Sequence, residues 1–129
     1  MSLYQKGKKG KLDKIFSLYI RTRDKWGCQR CGKQQKEKST GYHCAHILGR
    51  SKQSVRWNEL NAYGICYGCH LFIDTHPTEK TIWAINRLGK QEYDELCSIS
   101  IQNVKFRDWE VEDLIKYYKD KLEKLNART

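Results

Sequence analysis

Two Cys-x2-Cys pairs constrain the fold of this chain more than any other feature of its sequence. Cys28 and Cys31 form the first pair, and Cys66 and Cys69 form the second, with 34 residues between the pairs. Each pair places two thiolates on one side of a tight turn, and two such turns complete a tetrahedral S4 shell that suits Zn²⁺. Because the protein fills all four positions, such a zinc ion would hold the fold and take no part in chemistry.

The six cysteines could instead form three disulfides of a secreted protein. The paired spacing argues against this, and the N-terminal segment 1–11 is basic with no apolar stretch behind it, so it is not a secretory signal. Cys44 and Cys97 lie outside the pairs, and we interpret them as small buried hydrophobic residues. No apolar run approaches the ~18 residues of a membrane-spanning helix, so we expect no membrane partner.

The net charge of +10 over 129 residues indicates a polyanionic partner, and nucleic acid is the first choice. Residues 1–25 carry eight basic and two acidic side chains, and residues 26–80 carry eight and four. Residues 81–129 carry nine of each sign and are neutral. The positive field therefore belongs to the part of the chain that contains the cysteine pairs.

Histidines crowd around the second half of this cysteine-rich segment. His46, Asn61 and His70 follow one another in the pattern His-x14-Asn-x8-His, and His43 lies just ahead of them. This register resembles the HNH, or ββα-metal, endonucleases, in which a hairpin carries the first His, a loop the Asn and a helix the last His. The resemblance implies an α+β fold, with a small zinc-stapled HNH core between an N-terminal helix and a C-terminal helical extension.

The resemblance also implies how the site residues divide the chemistry. His46 is the general base for the attacking water, a role that suits an imidazole titrating near neutral pH. A single Mg²⁺ or Mn²⁺ ion orients the scissile phosphate. Asn61 shapes the loop opposite the base, and His70 binds the metal or a phosphate. Ala45 stands where most family members have a metal-binding Asp or His, so the other ligands must come from elsewhere.

Asp74 is the first candidate for a second metal ligand. It follows His70 by four residues and shares its face if the segment is helical. The plain alternative is a surface Asp, and His43 and Asn61 are the other candidate ligands. His76 precedes a proline at a predicted helix end, and we leave it outside the site.

Three basic residues follow the predicted base on the connecting loop. We predict that this basic loop binds DNA phosphates through Arg50, Lys52 and Arg56. Each of them could equally be an ordinary surface charge.

Apolar spacing predicts helices on both sides of the cysteine pairs. The predicted ranges are 12–25, 78–88, 90–98 and 109–126, with Asp108 as the N-cap of the last. We divide the chain accordingly into a basic arm, a core with its N-terminal helix, and a helical extension, at residues 1–11, 12–80 and 81–129. The apolar stripe of the last helix could pack on the core or pair two chains, and its run of only about two heptads favours packing.

The segments 17–24, 56–61 and 85–96, together with the closing helix, are similar to the bacteriophage NinG (Rap) recombination nucleases. The similarity runs over residues 16–126. It implies a phage-encoded enzyme in the cytoplasm of a bacterial host, acting on branched DNA such as Holliday junctions and D-loops. A homodimer is compatible with cutting two strands. The alternatives are a homing or restriction-type HNH enzyme that nicks duplex DNA, and a non-catalytic zinc-dependent DNA-binding module.

Overall fold

The computed structural model describes residues 7–128, and that part of the chain contains five α-helices and one two-stranded antiparallel sheet. The elements in chain order are α1 (Lys8–Arg23), β1 (Tyr42–His46), β2 (Ala62–Cys66), α2 (Tyr67–Thr75), α3 (Pro77–Leu88), α4 (Lys90–Ser100) and α5 (Asp108–Ala127). Two short 3₁₀ turns, Gln53–Val55 and Glu59–Asn61, lie in the connection between the strands. The presence of both helices and a sheet confirms the predicted mixed α+β class. No helix within residues 7–128 is long and apolar enough to cross a membrane.

Helix α1 differs from its prediction at both ends. It begins at Lys8, before the predicted start at residue 12, so the last part of the predicted basic arm is helical. Residues 1–6 of that arm lie outside the described residues. The helix ends at Arg23 because Lys25 and Trp26 adopt left-handed backbone, with φ of 55° and 60°.

The three C-terminal helices agree with their predicted ranges to within two residues at each end. The predicted cap of α5 is wrong, because Arg107 is the N-cap residue and Asp108 is already helical. The backbone N–H of Arg107 donates to the Glu110 carboxylate at 3.2 Å, which satisfies one of the donors exposed at the helix start.

The hairpin lies between α1 and α2, and its alternating side chains face one or the other. His46 faces α1, where its ring centroid is 6.0 Å from that of Phe16. His43 faces α2, where its ring centroid is 5.1 Å from that of His70. The side chains of the two histidines of β1 therefore lie on opposite faces of the sheet.

Two clusters of buried side chains hold these elements together. The helix-pair core lies between α1 and α5, and its members are Leu12, Phe16, Tyr19, Ile20, Trp57, Ala62, Val111, Ile115 and Tyr118. The knuckle core joins the cysteine pairs and the hairpin to the helices α2 to α4, and its members are Cys28, Ala45, Ile47, Val55, Tyr63, Ile65, Cys66, Cys69, Ile73, Ala84 and Leu96. The apolar stripe of α5 packs on α1, as its short heptad-like run indicates.

Candidate functional site

The four cysteines of the Cys-x2-Cys pairs converge on one point. Their sulfur atoms lie within 4.8 Å of one another, and Cys31 Sγ is 3.8 Å from Cys66 Sγ. A tetrahedral ion with Zn–S bonds of about 2.3 Å separates its sulfurs by about 3.8 Å, so the cluster has the size of such a site. All six cysteines are free thiols, which contradicts the disulfide alternative. Within residues 7–128 no other group of three or more Cys, His, Asp or Glu side chains converges in this way.

Hydrogen-bond donors surround the sulfur atoms. The backbone N–H of Cys31 donates to Cys28 Sγ at 3.4 Å, and Arg30 Nη1 donates to Cys69 Sγ at 3.2 Å. Burial opposes ionisation of Cys28, yet the backbone N–H groups around its sulfur lower the pKa of this thiol to about 7. Burial, together with hydrogen bonds to the other thiols, raises the pKa of Cys69 to about 12. A divalent cation would let all four sulfurs exist as thiolates, so the cluster can hold a structural metal ion such as zinc.

A groove of about 690 Å³ opens beside the hairpin and brings together most of the other predicted site residues. His46, His70 and Asp74 line it, and so does His43. The groove also has four cationic side chains, which are Arg21, Lys38, Arg50 and Lys80. It therefore combines imidazole and carboxylate groups with positive charge.

His46 is the last residue of β1 and is half-buried. Its Nε2 lies 3.1 Å from the backbone oxygen of Arg56. A carbonyl can only accept, so the ring proton sits on Nε2 and Nδ1 keeps its lone pair. Burial, reinforced by the positive charge of Arg50, lowers the pKa of His46 to about 4 although the Arg56 carbonyl acts in the opposite direction. At neutral pH this side chain is an uncharged imidazole and can accept a proton. Its pKa lies below the near-neutral value expected from the sequence, however, so in this state of the protein it is a weaker base than an exposed histidine.

We expect His46 to make folding sensitive to acid. The pKa of His46 is about 4 in the folded chain and about 6.5 in an unfolded one, so the unfolded state takes up the proton first as the pH falls. Stability is then full above pH ~6.5 and is lost as the pH falls toward 4, with a loss of about 2 kcal/mol between pH 7 and pH 5. NMR titration of the His46 ring and urea unfolding of wild type and His46→Gln measure this. A His46 ring that titrates near pH 6.5 would contradict the expectation, as would an equal loss of stability in the variant.

Asn61 is fully buried at the end of the second 3₁₀ turn. Its Oδ1 accepts from the Leu48 backbone N–H at 2.8 Å, and its Nδ2 donates to the Leu48 and Val55 carbonyls at 2.9 and 3.0 Å. These are the contacts of a residue that shapes the loop between the strands. Asn61 is fully buried and does not line the groove, so the structure does not place it as a ligand of a groove cation.

His70 lies on α2 between two polar partners. With both rings neutral, His43 Nε2 donates to the Thr40 carbonyl at 3.2 Å, and His43 Nδ1 accepts a hydrogen bond from His70 Nδ1, 2.9 Å away. In that state His70 Nε2 presents a lone pair to Asp74 Oδ2 at 3.5 Å, whereas a protonated His70 donates to this carboxylate. Burial lowers the pKa of His70, which favours the neutral ring. A lone pair that faces a carboxylate is an arrangement that a bound cation would stabilise.

The three basic residues predicted as DNA contacts occupy different environments. Arg56 is buried, and its Nε donates to Asp13 Oδ1 at 3.0 Å, so its prediction as a phosphate contact is wrong. Arg50 lines the groove and pairs with Asp13 Oδ2 at 2.8 Å. Lys52 is exposed on a different part of the surface, beside residues 100–104. The groove contains only one member of the predicted set.

Sequence reasoning missed three of the groove cations and the carboxylate of Asp13, which holds the fourth groove cation, Arg50. Arg21 comes from α1, Lys38 from the loop before β1 and Lys80 from α3. Asp13 lies in the first half of α1 and is only 6% exposed. Arg21 belongs to a basic cluster at the end of α1 that also suits the helix dipole, and Asp13, Lys38 and Lys80 lie in other parts of the sequence, so no local pattern groups these four residues in one site.

A family model described as "Bacteriophage Lambda NinG protein" matches residues 5–128. The chain belongs to the NinG family. The NinG match includes the whole described chain, so α1 and α5 belong to the family's domain together with the cysteine pairs and the groove. No curated protein and no solved structure matches the chain.

Three cysteine and histidine residues of this NinG family member, His76, Cys44 and Cys97, belong neither to the cysteine cluster nor to the predicted site, although Cys44 lines the groove. His76 is exposed at the end of α2 and bonds the Phe72 carbonyl through Nδ1 at 2.8 Å. Cys44 packs on the helix-pair core, and burial raises the pKa of its thiol to about 12, so it is chemically inert. Cys97 is half-buried in α4.

Proposed function

We propose that this member of the NinG family is a metal-dependent DNA endonuclease of the HNH (ββα-metal) type, with His46 as its general base. The observation that supports this most is the placement of His46, which lines an open, positively charged groove and is held through Nε2 by the Arg56 carbonyl, so its lone pair is on Nδ1. The order of elements also agrees, because the hairpin runs directly into α2. A zinc ion on the four cysteines would hold these elements together.

In the proposed reaction, water attacks the phosphorus in line and its proton passes to His46 Nδ1. The P–O3′ bond breaks, and the 3′ oxygen leaves with a negative charge. The Arg56 carbonyl accepts from Nε2 before and after the transfer, so the ring keeps its orientation as it becomes charged. A divalent ion such as Mg²⁺ or Mn²⁺ would stabilise the charge on the leaving oxygen when bound.

His70 Nε2 and Asp74 Oδ2 would hold that ion, and their imidazole and carboxylate donors suit Mn²⁺ or Mg²⁺ completed by water. His43 would act through His70, because its contact keeps the proton on Nδ1 and leaves Nε2 for the metal. Asp74, presented from α2, would supply the carboxylate that Ala45 cannot.

Asp74→Asn is expected to raise the Mn²⁺ concentration needed for half-maximal cutting by about tenfold or more, because the amide is a weaker ligand. The matched control is Glu79→Gln, which neutralises an exposed carboxylate on α3 that does not line the groove. Cutting rates measured across a Mn²⁺ series give the comparison. An Asp74→Asn protein with the wild-type metal dependence would remove Asp74 from the site.

We further propose that the substrate is branched DNA, of the Holliday-junction or D-loop kind, in the cytoplasm of a bacterial host. The NinG family relation supports this choice over a homing or restriction-type enzyme that nicks duplex DNA. The test is cutting of a four-way junction beside a linear duplex of the same sequence, with Mg²⁺ or Mn²⁺ and with EDTA. Preferential cutting of the junction supports the branched substrate, and equal cutting supports duplex nicking.

A non-catalytic DNA-binding module remains the alternative of a different class, and the same assay separates it. Such a module binds both DNAs in a salt-sensitive manner but cuts neither with any divalent metal. That outcome would overturn the nuclease proposal and leave the groove as a binding surface.

The groove cations are expected to set the salt dependence of DNA binding. The triple variant Arg21→Gln/Lys38→Gln/Lys80→Gln should bind more weakly, and the slope of log K against log salt should fall by about 0.9 for each cation that contacts a phosphate. The matched control replaces exposed lysines of α5, with Lys116→Gln, Lys119→Gln and Lys124→Gln. Fluorescence anisotropy across a salt series measures both slopes. Equal slopes for the two triple variants would show that the groove is not the DNA surface.

A further inference from the structure

The carbonyl that orients His46 belongs to a segment, residues 55–57, whose three members are each anchored separately. The Val55 carbonyl accepts from Asn61 Nδ2 at 3.0 Å. The Trp57 carbonyl accepts from the hydroxyl of Tyr118 on α5. The Arg56 carbonyl lies between these two points and accepts from His46 Nε2. The position of this acceptor therefore depends on how the peptides on either side of it are held.

Asp13 fixes the side chains on both sides of the peptide that carries this carbonyl. Its Oδ1 accepts from Arg56 Nε at 3.0 Å and from Trp57 Nε1 at 3.0 Å. Its Oδ2 accepts from Arg50 Nη2 at 2.8 Å, so the same carboxylate also holds a groove cation. Asp13 is only 6% exposed, and water does not compete strongly for these bonds.

We propose that Asp13 is a positioning residue for the general base. By holding Arg56 and Trp57 it aims the Arg56 carbonyl at His46 Nε2, which keeps the ring in one tautomer with the lone pair on Nδ1. Asp13 belongs to α1, outside the hairpin and α2, so α1 is part of the catalytic apparatus as well as of the helix-pair core. This inference rests on the proposed nuclease function for its kinetic consequence, while its structural consequence can be measured without cutting.

The test is Asp13→Asn, an exchange of similar shape that removes the charge and places an N–H where Arg56 and Arg50 donate. The His46 ring is read by ¹⁵N NMR in the full chain. We expect the wild type to show one tautomer with the proton on Nε2, and the variant to populate both. We also expect kcat to fall by about tenfold or more. Loss of the Arg50 contact should change KM separately.

A control variant that destabilises the fold to a similar extent tests whether Asp13 acts only by stabilising the structure. Leu96→Ala creates a cavity in the knuckle core, which includes Val55 but neither Arg56 nor Trp57, and it leaves every bond to Asp13 in place. It should lower the melting temperature without changing the His46 tautomer or kcat. If Asp13→Asn does not fold, Trp57→Phe provides the test, because it removes one bond to Asp13 and leaves both arginines paired. The expected result for Trp57→Phe is a smaller change in the same direction.

Wild-type ¹⁵N shifts and wild-type kcat in a folded Asp13→Asn or Trp57→Phe protein would overturn the inference, and so would an equal disturbance of His46 in Leu96→Ala. If the wild type itself cuts no DNA, the nuclease proposal fails while the ¹⁵N comparison still decides the role of Asp13. The two failures are therefore separable.

Discussion

His46→Gln is expected to lower the rate of DNA cutting by about 10²- to 10⁴-fold, the usual contribution of a general base. Glutamine can still donate to the Arg56 carbonyl from its amide, but its side chain offers no basic nitrogen for the proton of the attacking water. DNA affinity should stay close to that of the wild type, because the groove cations are unchanged. Single-turnover cutting with saturating protein isolates the chemical step from binding.

The matched control is His76→Gln, the same exchange at an exposed histidine outside the groove. It should cut at the wild-type rate. Both variants should retain the wild-type content of bound zinc and the wild-type far-UV circular dichroism. Cutting by His46→Gln at the wild-type rate would show that the base lies elsewhere, with His43 as the next imidazole in the groove.

Features that depend on residues close together in the sequence were predicted well, because the interacting side chains lie within one turn of the backbone from each other. A Cys-x2-Cys turn brings its own two sulfurs together whatever the rest of the fold does, and the four thiols converge as the spacing indicates. The helices α3, α4 and α5 follow from apolar spacing of the same range. His46 and His70 reach one groove through the short path from hairpin to α2.

Features that depend on distant partners were not predicted. Lys52 and Arg56 look equivalent in the sequence, four residues apart on a basic loop, yet one is exposed and the other buried. The difference is due to Asp13, which lies 43 positions before Arg56 in the sequence. In the folded protein α1 places the buried carboxylate of Asp13 beside Arg56, and no local pattern in the sequence indicates this. His43 is a similar case, since its effect on His70 requires the packing of α2 against β1.

The positive charge is likewise better located in the structure than in the sequence. Arg56 and Arg23 contribute to the formal charge, but Arg23 donates to the backbone carbonyls of Glu59 and Ala62 at 2.9 Å and ties α1 to the hairpin. Part of the basic excess therefore stabilises the junction between the two cores. The groove itself contains four basic side chains, and one of them, Arg50, is paired with Asp13.

Cys69→Ser is expected to have the largest effect on stability. Structural zinc contributes an apparent 10–16 kcal/mol, about as much as the whole net stability of a domain, roughly 5–15 kcal/mol. The knuckle core includes three of the four cysteines, Cys69 among them, and links the hairpin to α2, α3 and α4. Loss of one zinc ligand therefore weakens the packing of all these elements. We expect the variant to lose its zinc and its cooperative thermal transition. Metal analysis and circular dichroism melting measure these two quantities.

The matched control is Cys97→Ser, which makes the same exchange at a half-buried cysteine outside the cluster. It should retain one zinc ion per chain and melt cooperatively. A strong chelator should reproduce the Cys69→Ser result in the wild type, and added Zn²⁺ should reverse it, because the thiols are free to bind again. If Cys69→Ser keeps one zinc ion and melts at the wild-type temperature, the four sulfurs do not form the metal site. The fold would then rest on its two apolar cores alone.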